Sequence, residues 1–131
     1  MQFRRSASAL LLATAASAAW PGDLYLVSGN DIALTPAEVR QVFLGEKRFA
    51  GSTRLNPVEN SALQAEFLAR VLKIDSSRYE AAWTRKNYRE GLTAPPVRLG
   101  DEDVLGVIKA TPGSIGYVSR PTGDVKVLEK L

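Results

Sequence analysis

Short strand-forming runs alternate with amphipathic helical stretches along residues 23–128, and that alternation constrains the fold more than any other feature of the chain. Residues 23–28 (DLYLVS) are apolar and rich in strand formers, and they stop at the turn cluster Ser28-Gly29-Asn30-Asp31. Thr35-Pro36-Ala37-Glu38 then opens a helix: Thr35 caps, Pro36 suits the first helical position, and Glu38 completes a capping box. Val39, Val42 and Phe43 share one face of that helix, and Gly45 stands where a left-handed stop belongs. Residues 47–53 read as a polar loop anchored by Phe49. Residues 54–58 (RLNPV) form a second strand, which Pro57 confines to a sheet edge or to the strand's end.

A helix over residues 61–72 follows, with Leu63, Phe67, Leu68, Val71 and Leu72 as its apolar stripe and Asn60 or Ser61 as its cap. A third helix starts at Asp75 or Ser76 and turns Tyr79, Ala82 and Trp83 inward. Residues 85–96 read as irregular, broken by Gly91 and Pro95-Pro96. Residues 101–110 form a fourth helix, acidic at its start and basic at Lys109, as the helix dipole prefers. Pro112-Gly113 turns the chain into a strand over 114–119 (SIGYVS), and a last strand covers 125–128. Single strands alternating with helices predict an α/β domain with a central, mixed sheet flanked by helices.

The first eighteen residues read differently. Arg4 and Arg5 precede an apolar run over residues 7–16, and Ala16-Ser17-Ala18 has the form of a processing site. The run is short of the roughly 20 apolar residues that a membrane span needs. A cleaved signal peptide over 1–18 and one exported, periplasmic domain over 19–131 are expected. The whole-chain net charge is only +3 and two arginines lie in the leader, so the remainder is near neutral and no nucleic-acid partner is indicated. The chain has no Cys, which excludes disulfides, and no His, which excludes a Ser-His-Asp triad. Together these absences remove the usual zinc ligands and the commonest general base. No metal, cofactor or catalytic residue is predicted.

The step from Arg54-Leu55-Asn56-Pro57-Val58 into Ser61-Ala62-Leu63 is the best candidate site, because open α/β sheets place ligands where a strand ends and a helix begins. The first amides of such a helix lack internal partners and favour an anion. The plainer alternative is that Ser61 only caps its own helix. Lys47, Arg48, Arg54, Arg85, Lys86, Arg89 and Arg98 supply positive charge, for an anionic ligand or simply for a solvated face. Asp101-Glu102-Asp103 suits the start of a helix better than paired-carboxylate chemistry, since adjacent positions point apart. Tyr79, Trp83 and Tyr117 read as core rather than as a stacking platform.

Three segments resemble the phosphate-binding proteins of ABC transporters. Thr35-Pro36-Ala37-Glu38 with Val42-Phe43-Leu44-Gly45 is similar to a helix and loop of that family. Asn60-Ser61-Ala62-Leu63, followed by Phe67-Leu68 and Val71-Leu72, is similar to its Ser-Gly-Thr segment. Thr111-Pro112-Gly113-Ser114-Ile115-Gly116-Tyr117-Val118 resembles the strand that closes the same lobe. The resemblance implies one lobe, the second, of a type II periplasmic-binding-protein fold, and a ligand site at Asn60, Ser61 and Ala62 for phosphate or another oxyanion. Ser61 matches the family's grip, Ala62 still offers an amide, and Leu63 loses a hydroxyl. The family's arginine falls on Pro57 or Asn56, and its loop tryptophan on Phe49.

Charge-assisted hydrogen bonds contribute about 1.5–3 kcal/mol each, so losing an arginine, a hydroxyl and the opposing lobe implies weak binding. A homodimer or a second protein can supply the missing wall. A ligand-free module that docks on a membrane permease or an envelope sensor is the alternative that the same departures favour.

Overall fold

The computed structural model describes residues 22–131, so the signal peptide expected over 1–18 and its expected cleavage site lie outside the described residues. A four-stranded mixed sheet holds the domain together, in the order β4 (Asn56–Pro57), β7 (Ser114–Val118), β1 (Tyr25–Ser28), β8 (Lys126–Lys130). β1 pairs antiparallel with β7 and β8, with a register shift between Leu26 and Val27 opposite β8, and β4 runs parallel to β7. The alternation of β1 and β7 divides the interior into two layers. Leu26, Ile115 and Tyr117 enter the larger one, shared with Phe43, Phe67, Val71, Tyr79 and Trp83. Val27 and Val118 enter the smaller one, shared with Val58, Val104, Leu105 and Ile108. Both faces of β7 are buried, which is why its sequence carries no polar alternation.

The larger layer is covered by α1 (Pro36–Phe43), by a helical segment built from α2 (Gln64–Phe67) and a π-helical continuation (Leu68–Leu72), and by α3 (Ser76–Glu90). The capping box of Thr35 and Glu38 forms in both directions, at 3.2 and 2.9 Å. Gly45 takes the expected left-handed conformation, φ 75°. Phe43, Phe67 and Tyr117 make an aromatic cluster: Phe67 stacks on Tyr117 at 4.0 Å between ring centroids and meets Phe43 edge-on at 4.7 Å. The smaller layer is covered by α4 (Asp101–Ala110), which approaches β7 closely because Gly116 has no side chain. A Cβ there would stand 2.7 Å from Val104 Cγ1 and 3.1 Å from Val58 Cγ1.

Four details depart from the sequence reading. Residues 47–53 are not a plain loop, since β2 (Phe49–Ala50) and β3 (Thr53–Arg54) pair antiparallel. Phe49 is 48% exposed and anchors nothing. α3 continues through residues 85–90, where no apolar periodicity signals a helix, and stops at Gly91. The helix expected from Ser61 begins only at Gln64, because the residues before it are drawn into strand and turn bonds.

Those bonds extend the sheet. β5 (Glu59–Asn60) carries on from β4 and pairs in parallel with β6 (Val97–Arg98). Along residues 55–61 the outward-facing amides go to Arg48 O from Leu55, to Pro96 O from Glu59 and to Arg98 O from Ser61, each at 2.8 Å. Pro57 occupies the remaining outward position and has no N–H to satisfy. Asn56 and Val58 face the other way and bond Gly113 and Ile115 of the β7 side, also at 2.8 Å.

Candidate functional site

The turn at residues 60–62 stands where β5 ends and the helical segment begins. Asn60 is fully buried and its side chain organises the turn. Its Nδ2 donates to Asp101 Oδ1 at 2.9 Å and to the Tyr117 carbonyl at 3.1 Å, and its Oδ1 accepts the Ala62 amide at 3.1 Å. Ser61 and Ala62 are exposed. The Ser61 amide belongs to the Arg98 carbonyl, and the Leu63 amide donates to the Asn60 carbonyl at 3.0 Å. The amides of positions 61, 62 and 63 are therefore engaged within the protein. The helix that follows has Leu63 as its N-cap with no side-chain capping bond, so its first turn, from Gln64, is the uncapped one.

Asp101 fixes this turn from the opposite side. One carboxylate takes the Asn60 side chain, the Ser119 amide and hydroxyl, and the Arg120 amide, at 2.6–3.1 Å. Partial burial opposes its ionisation, but the donors from Ser119, Asn60 and Arg120 outweigh that and hold its pKa below the usual aspartate range. Asp101 thus ties the end of β7 to the start of α4 and to Asn60. Sequence reasoning assigned it only to the helix dipole, and no local signal exposes the bonds it makes to residues 41 positions earlier and 18 later.

Behind Asn60 lies a buried carboxylate that the sequence did not single out. Glu59 is 2% exposed, accepts from Tyr79 Oη at its Oε2 and from Tyr117 Oη at its Oε1, both at 3.0 Å. Burial raises its pKa above the ordinary carboxylate value, and donors from Tyr79, Tyr117 and Gln64 offset part of that rise. Burial and the adjacent Glu59 charge raise both tyrosines in turn. Tyr79 Oη also lies 3.3 Å from the Phe43 carbonyl, which receives Trp83 Nε1 at 3.2 Å. The two tyrosines and Trp83 are core groups, as their spacing predicts, and the tyrosines hold Glu59 in place.

The basic residues do not converge on the turn as a set. Arg98 pairs with Asn60 across β5 and β6, and together with Lys47, Arg48 and Arg54 it lines a groove beside β4. Lys86 pairs with Glu90 at 3.5 Å along α3. The chain has neither Cys nor His, and among the described residues no group of three or more acidic side chains is placed to hold a metal ion. No helix of the described residues is long and apolar enough to cross a membrane.

No protein-family model matches the chain, and no curated protein sequence matches it. Among solved structures it is similar to an ABC-type phosphate transport receptor from Vibrio cholerae, with a TM-score of 0.51 and 10% sequence identity. The match covers 82% of this chain and 46% of the receptor, so the chain spans less than half the length of the protein it resembles. At that identity the likeness is one of fold. The domain has an open, mixed-sheet α/β architecture flanked by helices, similar in fold to one lobe of that receptor.

Proposed function

We propose that this chain is an exported, non-catalytic binding domain that takes phosphate or another oxyanion weakly at the turn of Asn60, Ser61 and Ala62. One observation carries the reading: in a lobe similar to a phosphate transport receptor, this turn stands exposed at the end of β5, with Asn60 rigidly held behind it. Asn60 is the organiser, the Ser61 hydroxyl is the contacting donor, and the uncapped first turn of the following helix lends a favourable dipole. A half-cleft leaves the anion open to water, and the three engaged amides contribute no direct bond, so affinity is low. Calorimetric titration of the domain with phosphate and with sulfate, beside the Ser61→Ala variant, tests the reading. Saturable heat that the variant loses supports it; no heat at millimolar anion with an unchanged melting temperature removes it.

A second reading has its own observation. Because the amides of Ser61, Ala62 and Leu63 are already committed, the same lobe serves as a ligand-free module docking on an envelope sensor or a transporter permease. Co-purification of a membrane partner with the domain, unaffected by Ser61→Ala, would favour it.

A further inference from the structure

A groove of about 460 Å³ opens beside β4. Its lining runs from Arg54 through Val58 and, at the near end, includes Arg98, whose carbonyl takes the Ser61 amide at 2.8 Å. The size falls within the range of small-molecule sites. Leu55, Trp83 and Pro95 give it an apolar wall. Lys47, Arg48, Arg54 and Arg98 give it positive charge, and no Asp or Glu lines it. Lys47 has a partner in Glu38 at 3.5 Å, but among the described residues no carboxylate stands within 4 Å of the guanidinium nitrogens of Arg48, Arg54 or Arg98.

Ser114 is the independent observation. It also lines the groove, it is fully buried, and its hydroxyl has no hydrogen-bond partner. Buried polar groups are normally satisfied, so an orphan donor on the wall of a cationic cavity marks a place for an acceptor. Its pairing places it beside Asn56, two residues from Arg54. An inorganic anion alone would leave the apolar wall uncovered, and a neutral hydrocarbon would leave the arginines and the hydroxyl unmatched.

We propose that this groove binds a small organic carboxylate, its alkyl or aryl body against Leu55, Trp83 and Pro95 and its charged head toward Ser114 and Arg54, with Arg48 adding to the field. The inference is independent of the anion site at Ser61 and survives its failure.

Octanoate is a suitable probe, with 1-octanol and inorganic phosphate as controls that each lack one half of the chemistry. The chain has two tryptophans, so in a Trp20→Phe background Trp83 alone reports on the groove. Octanoate is expected to change Trp83 emission saturably, with the two controls about tenfold weaker or worse, as loss of a charge-assisted contact or of the apolar body requires. The Arg48→Ala/Arg54→Ala double variant should weaken octanoate about tenfold. Ser114→Ala should weaken it several-fold without lowering the melting temperature, since the hydroxyl makes no internal bond. Ser61→Ala should leave it unchanged. Absence of saturation up to about 10 mM, equal binding of 1-octanol, or indifference to both the arginine and the Ser114 changes would overturn the proposal.

Discussion

The Tyr117 hydroxyl donates to Glu59 Oε1 at 3.0 Å, and both residues are buried. A carboxyl enclosed in this way, with Tyr79 on its other oxygen, is stabilised in its neutral form relative to water, because the donors offset only part of the desolvation.

That arrangement gives a pH dependence of definite sign. The folded state holds the Glu59 proton more tightly than the unfolded chain, so this contribution to stability is fully present below the unfolded pKa and is lost as pH rises through the folded one. Glu59→Gln keeps a neutral group of the same shape, and Tyr79 can turn its hydroxyl to the Phe43 carbonyl. The melting temperature of the variant, taken relative to the unaltered protein, should climb between pH 4 and pH 8. A difference that stays flat across that range would mean the carboxyl is no less ionised in the fold.

Asp101 has the opposite dependence. Its pKa is lowered in the fold, so its contribution is present above the unfolded aspartate pKa and disappears as acid titrates the folded one. Asp101→Asn should cost about 1 kcal/mol near neutrality, toward the low end for bonds to a charged group because the site is part-exposed. Near pH 3 the cost should shrink. Denaturant unfolding at both pH values checks the sign.

Asn60 and Ser61 are neighbours with contrasting structural roles. Asn60→Ala removes three buried or part-buried hydrogen bonds and leaves the Tyr117 carbonyl short of a donor, at an expected cost of about 2–3 kcal/mol. Ser61→Ala should change stability by less than about 0.5 kcal/mol, as surface substitutions away from special features do. If Ser61→Ala instead unfolds the domain readily, its hydroxyl is structural and cannot report on a ligand.

The contact between Gly116 and Val104 predicts a coupled pair. Gly116→Ala forces a methyl against Val104 Cγ1 and should cost about 1–3 kcal/mol by overpacking. Val104→Ala leaves a cavity when made alone. Together the two should cost less than their separate costs summed, because the new methyl occupies part of the vacated space. Strict additivity in chemical denaturation would show that β7 and α4 do not meet as tightly as the geometry requires.

What the chain discloses locally, the structure repeats. The Thr35 box, the turn at Gly45, the edge position of Pro57 and the buried run of β7 are written in residues within a few positions of each other. What it hides depends on distance. Residues 85–90 lack an apolar stripe, yet α3 runs on through them because its buried face, Tyr79 and Trp83, anchors the preceding turns. The pairing of β5 with β6 joins residues nearly forty positions apart, and only that pairing shows why the helix cannot start at Ser61. Glu59 and Asp101 look like ordinary surface acids in sequence. Their partners are brought to them by the fold, Tyr117 and Ser119 by β7 and its end and Tyr79 by the packing of α3.

The missing N–H at Pro57 has an effect on what this domain can associate with. Leu55 and Glu59 each engage a neighbouring segment on the outer side of the strand, so position 57 is the only rung there through which another chain could be zipped on, and it offers no donor. The proline therefore acts as a sentry at this margin of the sheet. It discourages strand addition on the β4 side, and it holds a window beside Arg54 and Trp83 that a fully laddered edge would have closed.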